Sequence, residues 1–135
     1  MLTSEERERL IQTALKAREA AYAPYSGYSV GAAVLTETGK TFDGGNIENA
    51  VYPLTICAER TAIFKAVSAG EKDFRAIAVV TKNGGTPCGA CRQVMAEFGS
   101  QTIVLVADAS GKLINEFTVA ELLPNSFGEA DLESA

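Results

Sequence analysis

Cys57, Cys88 and Cys91 are the only thiols in the chain, and histidine is absent altogether. The cysteines fall in two short stretches, Cys57-Ala58-Glu59-Arg60 and Pro87-Cys88-Gly89-Ala90-Cys91-Arg92. Three thiolates with one position left for water make a catalytic type of zinc site, whereas a closed structural site takes four protein ligands. Glu59, two residues beyond the lone cysteine, is then placed to handle the protons of a metal-bound water.

Both stretches read as helix starts after loops. Unpaired N–H groups and partial positive charge at such a start lower a thiol's pKa and favour thiolate. Cys88 and Cys91 lie one helical turn apart, at i and i+3, so both sulfurs can reach one metal. Zinc with three thiolates is net negative, and a more negative centre is a poorer Lewis acid. Arg60 stands at i+3 from Cys57, on the same side of its helix. It is predicted to donate to the thiolates and so tune the charge at zinc.

Each residue also has a plainer reading. Cys-x-x-Cys alone is equally the mark of a redox pair, and a buried cysteine is often an ordinary hydrophobe. Neither reading needs Cys57-Ala58-Glu59. A glutamate in a first helical turn commonly just complements the helix dipole. Beside three spaced cysteines, proton handling is the stronger reading of Glu59. A non-catalytic zinc or redox module remains the alternative from a different class.

These residues need elements to hold them. Thr3-Ser4-Glu5-Glu6 is a capping box opening a helix; Ile11, Ala14, Leu15, Ala21 and Tyr22 follow on one face, and Pro24 ends it. Residues 28–36 read as a buried strand and 41–46 as its antiparallel partner across a turn. A second helix runs over 57–69 and is closed by Gly70. Residues 74–81 form a central strand, near-continuous in apolar residues. A third helix runs from Cys88 to near Phe98. Two more strands cover 102–106 and 112–117, and 118–122 is a short helix. The tail from Pro124 reads as loop, ending in acidic, poorly ordered residues. This order predicts an α/β fold: a three-layer α/β/α sandwich on a mixed five-stranded sheet, with residues 1–135 as a single domain.

Composition narrows the partners. The chain has 135 residues, of which 47% are hydrophobic and 21% charged, as in ordinary globular proteins. Its net charge of −5 and the lack of a basic run argue against nucleic acid, which needs cations along the phosphates. No apolar run approaches the roughly 20 residues of a membrane span. The start, Met1-Leu2-Thr3-Ser4, lacks the character of a signal peptide. A cytoplasmic protein with reduced thiols and a small uncharged ligand is expected.

One ligand, a spacer and Glu, followed later by Pro-Cys-x-x-Cys, is the zinc deaminase signature. The chain resembles the homotetrameric, three-cysteine branch of the cytidine deaminase family. Tyr25-Ser26-Gly27-Tyr28-Ser29-Val30-Gly31-Ala32-Ala33, Asn46-Ile47-Glu48-Asn49-Ala50, Cys57-Ala58-Glu59-Arg60-Thr61-Ala62, Pro87-Cys88-Gly89-Ala90-Cys91-Arg92-Gln93 and Leu122-Leu123-Pro124-Asn125-Ser126-Phe127-Gly128 resemble that family's motifs in order and spacing. The resemblance implies hydrolysis of cytidine and 2′-deoxycytidine to the uridine products and ammonia, in pyrimidine salvage. It implies one Zn2+ per subunit on Cys57, Cys88 and Cys91, with Glu59 as proton shuttle. Asn46 and Glu48 resemble the pair that binds the ribose 3′-hydroxyl, and the Ala58 N–H the donor to the pyrimidine 2-oxo group. Tyr28 stands where the family usually has phenylalanine and is expected to line the base pocket, its hydroxyl needing a partner. Phe127, Ala50 and Tyr52 resemble contacts made to a neighbouring subunit's site, so a homotetramer with shared active sites is implied. A related deaminase of another aminonucleoside is the nearest alternative, and the ribose motif argues against it.

Overall fold

The structure is a computed structural model, and it describes residues 1–133. Five strands form one mixed sheet in the order β2-β1-β3-β4-β5. They are β1 (Gly31–Thr36), β2 (Thr41–Gly45), β3 (Phe74–Val80), β4 (Ile103–Ala107) and β5 (Leu113–Thr118). β1 is antiparallel to both β2 and β3, β3 and β4 are parallel, and β4 and β5 are antiparallel. The parallel pair needs a crossover, and α3 (Gly89–Glu97) supplies it. α2 (Ala58–Ser68) likewise carries the chain from β2 over β1 to β3.

The strands alternate side chains between two cores. On one face Ala33, Leu35, Ala76, Ala78, Val80 and Leu105 pack against Leu10, Ile11 and Ala14 of α1 (Ser4–Ala17). On the other, Val34, Ile77, Val79, Val104 and Val106 pack against Ala62, Ile63 and Ala66 of α2 and Cys91 and Met95 of α3. Helices therefore cover both faces, and the fold is the expected three-layer α/β/α sandwich. Full burial of a side chain such as Ile63 or Ile77 stabilises the fold by about 1.5–3 kcal/mol each. Small residues bring the layers close. A Cβ on Gly31 would lie 2.0 Å from the Ala14 carbonyl oxygen, so β1 meets α1 backbone to backbone.

Three boundaries differ from the sequence reading. α1 stops at Ala17, with a 3-10 turn over Arg18–Ala20, and does not run to Pro24. Beyond it Tyr22 N donates to the Asn46 carbonyl and Glu48 N to the Tyr22 carbonyl. These tertiary bonds take Ala21 and Tyr22 off the helical face. β1 begins at Gly31, not residue 28, because Tyr28 and Val30 are bonded to the Asn46 side chain. The tail is not wholly loop: α4 (Val119–Leu122) is followed by α5 (Glu129–Glu133). There Gly128 N donates to the Asp131 carboxylate at 2.8 Å, and acidic residues suit a helix start. The last two residues of the acidic tail lie outside the described residues.

The registers bring the relevant ends together. Gly31, the start of β1, pairs with Gly45, the end of β2, and with Val80, the end of β3. Segments 28–30, 46–48 and 81–88 thus leave the sheet at one place, where α2 and α3 begin.

Candidate metal centre and pocket

Cys57 and Cys88 are the N-cap residues of α2 and α3, both extended, at φ −74°, ψ 154° and φ −70°, ψ 167°. Neither side chain caps its own helix, and the two sulfurs approach each other instead. Cys91, one turn into α3, is fully buried. The three Sγ atoms lie within 4.8 Å of one another, and Cys57 Sγ and Cys88 Sγ are 3.8 Å apart. Tetrahedral zinc with Zn–S of about 2.3 Å puts its sulfurs about 3.8 Å apart. The donor set and spacing fit zinc.

The electrostatics point the same way. The Cys57 thiol is lowered to about 5, first by a hydrogen bond from Cys91 and then by Arg60 and Cys88, against the cost of burial. The Cys91 thiol is pushed up, because it donates to Cys57, is buried and faces the charges of Glu59 and Cys57. Three thiols this close cannot all ionise unaided, and a divalent cation between them removes that conflict. Arg60 Nη2 donates to Cys57 Sγ at 3.3 Å. Its Nε is buried without a protein partner.

Glu59 follows in the first turn of α2, only 4% exposed. Burial is the main cause of its carboxyl being raised to about 7, with the Cys57 charge adding and Arg60 opposing. A carboxyl near neutrality both takes and gives protons readily.

A cavity of about 290 Å³ opens above these groups. Cys57, Ala58, Glu59 and Cys88 line it together with the apolar Val30 and Val79 and the polar Tyr28, Asn46 and Glu48. Ala58 is the first helical residue of α2, so its N–H has no intrahelical acceptor. Asn46 accepts from Val30 N through Oδ1 and donates to the Tyr28 carbonyl through Nδ2, both at 2.9 Å. Glu48 Oε1 accepts from Tyr25 N at 2.9 Å and Ser26 N at 3.1 Å, and Oε2 accepts from the Ser26 hydroxyl. The Ser26 hydroxyl, with these amides, holds the Glu48 carboxyl below its ordinary range. Asn46 keeps a second hydrogen and Glu48 a lone pair for a ligand hydroxyl. A larger cavity, of about 510 Å³, lies elsewhere against Leu2, Phe74 and Phe98, and no cysteine lines it.

Residues 4–107 match the model of the cytidine and deoxycytidylate deaminase zinc-binding region. The chain belongs to this family. It is 54% identical over 132 residues to the cytidine deaminase of Sporosarcina psychrophila, covering 95% of this chain and 96% of that protein. The cytidine deaminase of Halalkalibacterium halodurans is also 54% identical, over 130 residues, covering 94% and 98%. Among solved structures, the 1.6 Å cytidine deaminase from Burkholderia pseudomallei superposes with a TM-score of 0.85 at 47% identity, covering 93% of this chain and all of that one. The cysteine cluster of this deaminase fits the three-cysteine zinc branch, with one zinc ion per subunit.

Of the residues singled out in this deaminase, the cysteines, Glu59, Arg60, Ala58, Asn46, Glu48 and Tyr28 converge on one site. Ala50, Tyr52 and Phe127 do not line its cavity. Tyr52 is 72% and Phe127 58% exposed. Tyr52 stacks edge-on to Tyr25 in an adjoining cleft, and the Phe127 carbonyl accepts from Gln93. Ser26 and Thr81 also line the cavity. Ser26 lies within one of the family motifs, whereas Thr81, directly after β3, carries no chemical signal in the sequence.

Proposed function

We infer that this protein hydrolyses the exocyclic amine of cytidine and 2′-deoxycytidine, giving uridine and 2′-deoxyuridine with release of ammonia. The observation that carries this reading is the buried carboxyl of Glu59 beside three convergent thiols, in a pocket sized and lined for a small planar base. Cys57, Cys88 and Cys91 would hold zinc. The bound ion supplies Lewis acidity that makes water a nucleophile near neutral pH.

The chain's own groups do the rest. Glu59 receives a proton from the attacking water and delivers it to N3 of the base. It then carries the second proton to the departing amino group, so one water is consumed and one ammonia leaves. Arg60 balances thiolate charge at Cys57. The Ala58 N–H donates to the 2-oxo group, the Tyr28 ring stacks on the base, and Asn46 with Glu48 takes the ribose hydroxyl.

The pocket favours a nucleoside over its 5′-phosphate. No lysine or arginine among the described residues lines it, and Glu48 holds a carboxylate at its rim. A phosphate there would lack a counter-charge. We further propose a cytoplasmic, single-domain homotetramer in pyrimidine salvage. Exposed Val51, Tyr52, Leu54 and Phe127 support subunit contacts through which Ala50, Tyr52 and Phe127 reach a neighbouring site. No helix among the described residues is long and apolar enough to cross a membrane.

A nucleoside panel with zinc-loaded protein tests the reading. Cytidine and deoxycytidine lose their absorbance on mixing, while deoxycytidylate and aminonucleoside antibiotics turn over far more slowly. Preference for either of the latter would reassign the substrate, and zinc-loaded protein inert to all of them would leave a non-catalytic module.

A further inference from the structure

The Tyr28 hydroxyl donates to Asn83 Oδ1 at 2.7 Å, a contact between residues 55 apart in the chain. Asn83 lies in the link between β3 and Cys88, outside the deaminase motifs. We propose that Asn83 is a positioning residue of the pocket: by holding the Tyr28 hydroxyl it fixes the aromatic wall and ties it to the loop that carries Cys88. The proposal rests on the reading of this pocket as a pyrimidine nucleoside site.

Tyr28 is gripped at both ends. Its N–H donates to Ser26 Oγ at 3.0 Å, and its carbonyl accepts from Asn46 Nδ2 at 2.9 Å. These bonds set the backbone, and two side-chain torsions still separate it from the ring. Tyr28 as a whole is 39% exposed, so its side chain is only partly enclosed by packing. Among the described residues, its one side-chain hydrogen bond runs to Asn83.

The other partner is itself anchored. Thr81 is 4% exposed, and its hydroxyl accepts from Gly85 N at 2.7 Å, folding the link into a turn with Asn83 upon it. Gly85 leaves room for the hydroxyl: a Cβ there would lie 3.2 Å from the Tyr28 oxygen. Asn83 does not line the cavity, so its effect reaches the substrate through Tyr28. With its proton given to Asn83, the hydroxyl offers only lone pairs elsewhere. It is thereby held as part of the wall and cannot donate to the acceptors of the base.

The test is a double-substitution cycle on zinc-loaded protein. Losing one neutral hydrogen bond corresponds to about a two- to tenfold effect. Asn83→Ala should therefore raise KM for cytidine about three- to tenfold, with kcat within about twofold and zinc content unchanged. Asn83→Asp keeps the acceptor and should hold KM within about twofold of the unmodified protein. Tyr28→Phe should match Asn83→Ala, and the double variant should be no worse than either single one. Amide hydrogen exchange over residues 82–86 should quicken alike in both single variants, a readout independent of turnover. Multiplying KM effects, or unchanged exchange in Tyr28→Phe, would overturn the proposal. Failure of the unmodified protein to act on cytidine would remove the nucleoside reading, while the exchange comparison still decides the clasp.

Discussion

Arg60 Nη2 stands 3.3 Å from Cys57 Sγ, from the next turn of the same helix. This one contact links the charge of an all-sulfur centre to a residue that takes no part in binding the metal. Groups around metal ligands commonly change affinity or activity by about 10- to 100-fold when removed. Arg60→Ala should weaken zinc retention by that order in a chelator competition, or lower activity with a displaced pH–rate profile. Unchanged zinc content together with an unchanged profile would sink the role given to Arg60.

Glu59 offers the sharpest separation of chemistry from structure. Glu59→Gln keeps shape and burial but cannot carry a proton. General acid–base catalysis contributes about 10²- to 10⁴-fold, so kcat should drop by at least that much while zinc content by mass spectrometry stays at one per chain. Near-normal turnover in a zinc-loaded variant would refute the assignment.

Gly31→Ala tests the approach of β1 to α1. Its Cβ would meet the Ala14 carbonyl oxygen at 2.0 Å, and backbone cannot step aside as a flexible side chain can. A loss of about 3 kcal/mol or more in urea unfolding is expected. A variant as stable as the parent would show that the two layers slide apart without cost.

Acid sensitivity has a named contributor. Arg75 donates to both carboxylate oxygens of Glu6, at 2.5 and 3.1 Å, and, with the Thr3 N–H of the capping box, lowers it from the ordinary 4.5 to about 2. A folded value below the unfolded one stabilises at pH above 4.5 and loses that contribution as pH falls toward 2. Melting temperature should fall more steeply across this window in the parent than in Glu6→Gln. Parallel slopes would show that the ion pair contributes nothing.

The thiols and the carboxyl that meet at the candidate site are legible in the sequence because each carries its chemistry in its residue type. Cys57, Glu59, Cys88 and Cys91 need only helix starts to bring them together, and short motifs state those starts. Asn46 is different. Its amide is bonded to Val30 and Tyr28, so it shapes the pocket wall as well as facing the cavity, and no local pattern announces that. The partner of Tyr28 is likewise invisible, since Asn83 is an ordinary loop residue until the registers of β1 and β3 bring it near. The same applies to Tyr22, whose bonds to segment 46–48 override a helical periodicity that looked continuous.

The sheet separates two kinds of work. The helices that carry the cysteines, α2 and α3, pack on one face, while α1 packs against the reverse face with no residue in the cavity. Substitutions at Leu10, Ile11 or Leu35 can therefore alter heat resistance with little effect on turnover, whereas changes at Val79, which is both buried core and cavity wall, should alter both. Laboratory evolution of this scaffold therefore has one side of a five-stranded partition on which durability can be tuned alone, and another on which durability and turnover move together.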